Sequence, residues 1–305
     1  IVGNIKGLLG WQQPIVGYKN VDGLYRIIHR YAITIQTSEV EDLPDQIHIN
    51  IKQNKSNVFT LFTNEKLKGN LIQDEFKKRK IYDKIELYNT NKLINNPFYR
   101  NIDYPETNFI ADTPGNFWLR ARQLSIGFQG NSENYYWYDK SRLDDLEKFL
   151  ENNPDNYVLF YNYTPELFEI FNICTSKKLN YNVDVYSGDI KSLHFYEKYE
   201  KQSNDERLNN KKNIILANFA SGSTGKNWQA YNKCIIFSTP LYKDYSQGIK
   251  RIHRLGQNNT VIYYHFFQSN FLDWSMKKAL DENLDYNLTM FQSDLQNNNN
   301  LLNKL

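Results

Sequence analysis

Short, continuous apolar runs alternate with helical patterns in the second half of the chain, and this alternation constrains the fold more than any other feature. Helical patterns run over 141–152, 164–179, 195–202 and 271–282. The strand-like runs are YVLFYNY (157–163), NVDVYS (182–187), NIILANF (213–219), CIIFS (234–238) and VIYYHFF (261–267). Uninterrupted apolar runs are typical of parallel strands buried on both faces. The alternation therefore predicts an α/β fold, a mostly parallel sheet with helices on both faces.

In such a sheet, ligands bind beyond the carboxyl ends of the strands. A binding site is therefore expected in the loops that follow the predicted strands: 161–164, 187–191, 220–229 and 239–247.

The first part of the chain is less regular. Residues 24–33 predict a helix, and QIHINIK (46–52) alternates like a half-buried strand. Residues 53–118 combine charged helical patterns with a stretch rich in Asn, Pro and aromatic residues. The chain after 291 carries an Asn run and predicts a flexible tail. We expect four regions: 1–52, 53–118, 119–290 and 291–305.

Composition limits the function classes. A net charge of +3 over 305 residues is too small for a general polyanion binder, so a basic surface must be local. No apolar run approaches the roughly 18 residues of a membrane span, and the first residues lack a signal-peptide pattern. Cys174 and Cys234 have no metal-ligand spacing. We expect a reduced, cytoplasmic protein with no metal ligands of its own and no membrane partner.

The most unusual local feature is QGIKRIHRLGQ (247–257). As a helix, it places Gln247, Arg251 and Arg254 in one polar stripe, and Gly256 supplies a helix stop. The apolar residues fall on a separate arc: Ile249, Ile252 and Leu255. Arginine suits phosphate because its planar fork stays charged and donates two hydrogen bonds. The alternative is a solvated amphipathic helix, and Lys250 and His253 lie off the stripe as solvated residues.

A second candidate is the loop ANFASGSTGKNWQ (217–229), directly after a predicted strand. It resembles a P-loop but does not match one, because Ala220 and Asn227 stand where Gly and Ser or Thr are required. A loop of small residues still lets a ligand approach the backbone closely, and an ordinary turn is the alternative. Of the scattered histidines, His48 and His265 are expected to be structural residues within strands.

In their order along the chain, these segments resemble the second RecA-like lobe of superfamily-two helicases, most closely of the Swi/Snf-like ATPases. The loop of that family reads like AGGxGxNL, which SGSTGKNW matches at Gly222, Gly225 and Asn227. Its helix reads like QAxxRxxRxGQ, which this chain matches at Gln247, Arg251, Arg254, Gly256 and Gln257. The resemblance covers about 24–52 and 119–282. The chain departs from the family pattern at Asn218, Ser223, Lys226 and Gly248.

The resemblance implies a RecA-like fold and a DNA-dependent ATPase, a helicase-like translocase that uses ATP and Mg²⁺ in a cleft between two lobes. Arg254 would act as the arginine finger, with Arg251 beside it. The nucleotide would be contacted by Gln247, Gln257, Gly225 and Asn227. The backbone of double-stranded DNA would be contacted by Asn162, Ser221, Gly222 and Ser223. Cycles of lobe closure would move the motor along the duplex.

Neither a Walker A motif nor a D-E-x-[HD] box occurs, and the chain begins with Ile1. We therefore expect a fragment that starts partway through the first lobe. Its partners would be the remainder of that lobe, ATP and DNA, and the fragment alone would not hydrolyse ATP. The alternative is a non-catalytic RecA-like module that binds nucleic acid or protein.

Overall fold

The structure is a computed structural model that describes residues 23, 26, 43–53, 114–130, 135–137, 139–188, 190–191, 193–203, 207, 212–222, 227–268 and 270–302. The chain divides into two compact units, Ile1–Leu43 and Pro44–Leu305. In the first unit, Gly23 and Arg26 are helical; the rest of the helix predicted over 24–33 lies outside the described residues. All elements below belong to the second unit.

Eight strands are described, in two sheets. In chain order they are β1 (Gln46–Gln53), β2 (Phe128–Gly130), β3 (Tyr135–Trp137), β4 (Tyr157–Tyr161), β5 (Asn182–Tyr186), β6 (Asn213–Asn218), β7 (Lys233–Ile236) and β8 (Val261–Gln268). The main sheet has six strands in the order β1-β8-β7-β4-β6-β5. Every neighbouring pair in it is parallel. Strands β2 and β3 form a separate antiparallel pair.

Helices connect the strands. They are α1 (Pro114–Ile126), α2 (Ser141–Asn152), α3 (Thr164–Thr175), α4 (His194–Glu200), α5 (Phe219–Gly222), α6 (Tyr242–Ile249), α7 (Phe271–Asp281) and α8 (Leu288–Leu302). Parallel strands need such crossovers because a tight turn cannot return the chain to the same edge of the sheet. The five strand predictions and the helices at 141–152 and 271–282 are confirmed within one or two residues, whereas the helix predicted over 164–179 ends at Thr175.

The central strands are buried on both faces. Alternate residues of β4 contribute to different cores: Leu159 lies in one core with Leu216 of β6, and Phe160 lies in the other with Ala217. Side chains of a strand point alternately to opposite faces, so one apolar run can fill both cores. The predicted α/β sheet with helices on both faces is confirmed.

Strand β1 differs from the expected half-buried strand. It pairs with β8 alone among the described strands, and Ile47 is 45% exposed. An edge strand has one neighbour, so its alternating pattern does not guarantee a covered apolar face. Strand β1 also places residues 46–53 in the same sheet as the elements of the region predicted over 119–290.

Two predicted region boundaries fall inside helices. Helix α1 spans the boundary between residues 118 and 119, and α8 spans the boundary at 290. Phe291 is buried and stacks with Phe271 of α7, so the start of the predicted tail packs on the preceding helix.

Candidate functional site

The Arg-rich motif is not one continuous helix, which corrects the sequence prediction. Helix α6 ends at Ile249, and residues 250–256, here called the arginine turn, form successive turns. Leu255 is 67% exposed, so it does not share the buried position of Ile252. The helical stripe of Gln247, Arg251 and Arg254 therefore does not exist as predicted.

A hydrogen bond from outside the helix keeps the arginine turn from continuing as a helix. In a continued helix, the Arg251 carbonyl would accept from the amide four residues later. Instead it accepts from the Trp228 amide at 2.8 Å. The turn begins with a hydrogen bond that spans three residues instead of four, from the Arg251 amide to the Gly248 carbonyl, at 3.0 Å. Gly256 has a φ of 92°, which favours glycine, and it closes the turn.

Helix α6 approaches the sheet closely at Gly248. A Cβ atom there would lie 3.2 Å from the Phe219 ring and 3.3 Å from the Phe160 ring. These rings stack on each other with centroids 4.5 Å apart. The family pattern has alanine where this chain has Gly248. Packing explains the glycine, because the two stacked rings leave little space for a methyl group.

Gln257 is buried and anchors the arginine turn. Its Nε2 donates to the carbonyls of Tyr231 at 3.0 Å and Gln229 at 3.1 Å, and its Oε1 accepts from the Asn259 amide at 3.0 Å. Both ends of the amide are used within the protein. This geometry fits a residue that positions the turn better than one that touches a nucleotide.

The two arginines of the turn carry neighbouring positive charges. Arg254 is exposed, and its Nη1 donates to Oδ1 of Asn227. Arg251 is half-buried, and burial lowers its pKa first, with the charge of Arg254 lowering it further. The Arg251 guanidinium group is partly desolvated and lies near the positive charge of Arg254, so an anion bound between the two would be stabilised. The chemistry of this donor set fits the phosphate groups of a nucleotide.

Two further residues, Gln247 and Gly225, were predicted to contact the nucleotide. Gln247 is exposed in the last turn of α6, before the arginine turn begins. Gly225 lies outside the described residues. The structure therefore brings together Asn227, Arg251, Arg254 and Gln257 from the predicted set.

The arginine turn lies at the amino edge of the main sheet. Gln257 contacts the segment leading into β7, and the His253 ring contacts Pro44, just before β1. The sequence analysis expected ligands beyond the carboxyl ends of the strands, and the arginine turn lies at the opposite edge. A helix that follows a strand returns the chain to the edge where the next parallel strand begins.

The predicted DNA contacts lie at the carboxyl edge. Asn162 follows β4, and its Nδ2 donates to the Ser238 carbonyl at 3.0 Å and to the Ser238 hydroxyl at 2.8 Å. Its carbonyl accepts from Nδ2 of Asn218 at 3.0 Å. Asn162 thus links the ends of three strands. Ser221 and Gly222 lie in α5, directly after β6. Ser223 lies outside the described residues.

A buried carboxyl group at this edge was missed by the sequence analysis. Glu166 lies in the first turn of α3, and its side chain is fully buried. Its Oε2 accepts from the Asn162 amide at 3.0 Å and from the Ser238 hydroxyl at 2.9 Å. Oε1 is buried without a hydrogen-bond partner. Burial raises the pKa of Glu166 to about 7, against the opposing effect of these hydrogen bonds.

His253 was also missed. The sequence analysis interpreted it as a solvated residue, but both ring nitrogens have partners, Gln46 at 3.0 Å and the Pro44 carbonyl at 2.7 Å. The other two histidines of interest, His48 and His265, hydrogen-bond each other at 3.0 Å across β1 and β8, as structural residues do.

Metal binding and membrane insertion have no support in the described part of the chain. Among those residues, no group of three or more His, Cys, Asp or Glu side chains is arranged to hold a metal ion. None of the described helices is both long and apolar enough to span a membrane.

A six-stranded parallel sheet between two helical layers is consistent with the RecA-like α/β fold that the sequence resemblance predicted. No protein-family description and no curated protein sequence matches the chain. Among solved structures, the C-terminal part of the Fun30 ATPase domain is similar, with a TM-score of 0.53 at 15% sequence identity. The alignment covers 86% of this chain and 99% of that one.

A second solved structure is the Sulfolobus solfataricus SWI2/SNF2 ATPase core in complex with dsDNA. It aligns with 86% of this chain and 50% of its own, at 17% identity and a TM-score of 0.45. The likeness to the Fun30 structure shows that this chain has the fold of the C-terminal part of an ATPase domain.

Proposed function

We propose that the chain provides the second motor lobe of a Swi/Snf-like, DNA-dependent ATPase that translocates on double-stranded DNA. The observation that carries the proposal is the pair of adjacent guanidinium groups on the arginine turn. Arg254 is exposed and donates a hydrogen bond to Asn227. Arg251 is partly desolvated and lies near the positive charge of Arg254, and the buried Gln257 anchors the turn. A surface used only for packing has no need of two repelling cations held in one place.

In this proposal, Arg254 is the arginine finger and Arg251 adds a second positive charge. The bound nucleotide supplies the phosphoryl group, and the first lobe would hold most of its phosphates and Mg²⁺. A guanidinium group aimed at the transferring phosphoryl stabilises the charge that develops there, and is worth about 10³–10⁵-fold in rate. Asn227 orients Arg254, and Gln257 positions the turn. Gln247 and Gly225 complete the proposed nucleotide contacts.

The carboxyl edge would contact DNA. Phosphate oxygens only accept hydrogen bonds, so backbone contacts need donors. Since Nδ2 of Asn162 already donates to the end of β7, its main contribution would be to position the neighbouring loops. Ser221 and Gly222 lie in α5, directly after β6, and together with Ser223 they would provide the proposed contacts to the DNA backbone. Nucleotide and DNA would thus be contacted from opposite edges of one sheet.

The test is Arg254→Ala in the complete protein, with the first lobe present. Steady-state phosphate release should fall by about 10³-fold or more, while nucleotide affinity, measured by fluorescence titration, changes only a few-fold. Lys250→Ala is the matched control, because Lys250 is an exposed cation in the same turn. We also expect the purified 305-residue chain alone not to hydrolyse ATP.

Unchanged turnover in Arg254→Ala would reject the motor assignment. It would favour the alternative, a RecA-like module that only binds nucleic acid or a protein partner.

A further inference from the structure

His253 connects two parts of the chain that are far apart in sequence. Its Nε2 lies 2.7 Å from the Pro44 carbonyl oxygen, and its Nδ1 lies 3.0 Å from Nε2 of Gln46. Pro44 and Gln46 flank the start of β1, where the second unit of the chain begins. His253 itself lies in the middle of the arginine turn, directly before Arg254.

The partners define the hydrogen-bonding roles of the ring. A carbonyl oxygen only accepts, so Nε2 of His253 must carry a hydrogen and donate it to Pro44. The amide nitrogen of Gln46 donates to Nδ1, which therefore accepts. The His253 ring thus contacts a backbone carbonyl and a side-chain amide on the same short segment. A solvated histidine would show neither restriction.

The arginine turn is held on its other side by residues 228–231. The Trp228 amide donates to the Arg251 carbonyl, and the Gln257 amide donates to Tyr231. The segment at residues 44–46 is in turn joined to β8, because the Val261 amide donates to the Asp45 carbonyl at 3.0 Å. His253 joins these two sets of contacts, and it directly precedes Arg254, the proposed arginine finger.

We propose that His253 is a positioning residue that couples the segment at 44–46 to the arginine turn. The consequence for hydrolysis rests on the proposed function, in which Arg254 of the arginine turn is the arginine finger. A displacement of that segment would pull on His253 and move the backbone of Arg254. A productive arrangement of the segment would hold Arg254 in place.

The first experiment is hydrogen–deuterium exchange on the 305-residue chain. His253→Ala removes both hydrogen bonds, so exchange should become about 5- to 30-fold faster at both residues 44–49 and 251–257. His253→Gln keeps a donor that can reach Pro44 and should restore most of the protection. Lys250→Ala is the matched control and should leave both segments unchanged.

A second variant avoids any folding defect of His253→Ala. Gln46→Ala removes the partner from the exposed edge strand, and it should speed exchange in the arginine turn, 207 residues away in sequence. In the Gln46→Ala background, the additional effect of His253→Ala should be smaller than in the wild type. Unchanged exchange in the arginine turn of Gln46→Ala and of folded His253→Ala would overturn the proposal.

The second experiment measures hydrolysis by the complete protein. His253→Ala should lower kcat by about 10-fold with KM for ATP changed less than 2-fold, since His253 orients Arg254 without touching the nucleotide. His253→Gln should recover most of kcat. If His253→Ala raises KM and leaves kcat unchanged, the positioning role is wrong. If Arg254→Ala keeps full activity, the motor assignment fails, and the exchange data still decide whether the connection exists.

Discussion

The buried ion pair between Arg142 and Asp273 gives the sharpest test of what stabilises this fold. Arg142 of α2 is fully buried, and its guanidinium group forms an ion pair with the Asp273 carboxylate of α7. It also donates to the carbonyls of Phe237 at 3.0 Å and Ser125 at 3.3 Å. The pair therefore links two helices to the end of β7 and to α1.

The Asp273 carboxylate has further donors. The Gln268 amide donates to it at 2.9 Å and the Ser125 hydroxyl at 3.4 Å. Asp273→Asn keeps the shape of the side chain but leaves the buried guanidinium group without its counter-charge. Arg142→Met keeps most of the volume but leaves a buried carboxylate unpaired, together with two carbonyl acceptors. Breaking a buried pair from one side costs about 3–5 kcal/mol.

Removing both charges together should lower the free energy of unfolding by much less than the sum of the two single substitutions. In the double variant Arg142→Met/Asp273→Asn neither charge of the pair remains, so we expect about 1–3 kcal/mol of lost stability instead of about 6–10. Urea unfolding followed by circular dichroism, with all variants fitted to a common slope, measures these differences. The control is Lys178→Ala, which breaks a surface pair with Glu151 and should leave the midpoint unchanged.

Two results would refute this reasoning. One is a loss of less than about 1 kcal/mol in both single variants, which would mean that water reaches the pair. The other is strict additivity in the double variant, which would mean that the two side chains stabilise the protein independently.

The remaining predictions concern residues with equally defined partners. The pKa of Glu166 is raised from its ordinary value of 4.5 to about 7, so its contribution to stability is complete below pH 4.5 and is lost as pH rises through 7. The Glu166→Gln side chain cannot ionise, so this variant should not lose stability as pH rises, whereas the wild type should lose on the order of 3 kcal/mol. Urea unfolding at pH 4.5 and pH 8 compares the two proteins. Equal pH dependence would contradict the assignment. Gln257→Glu replaces a donor by an acceptor opposite the Tyr231 and Gln229 carbonyls, and should lower the free energy of unfolding by about 2–4 kcal/mol. An unchanged thermal midpoint would show that the turn has another anchor.

Some of these features were predictable because the signals are local. The apolar runs at β4 and β6 are long enough to fill cores on both faces, and this pattern alone predicts a parallel sheet. The spacing of the Arg-rich motif singled out Arg251 and Arg254, the family resemblance added Gln257, and the structure brings these three residues together in one turn and its anchor. The order of segments along the chain predicted the RecA-like fold.

The sequence by itself determined where the buried strands and most helices lie, because hydrophobic periodicity is a property of a few consecutive residues. Only the tertiary structure decided that the arginine turn is not helical, since the Trp228 amide takes the Arg251 carbonyl that a continued helix would use. It also decided that Glu166 is buried and that His253 contacts Pro44, 209 residues away. Such contacts depend on which segments meet in three dimensions, and no pattern within a short stretch of sequence records them.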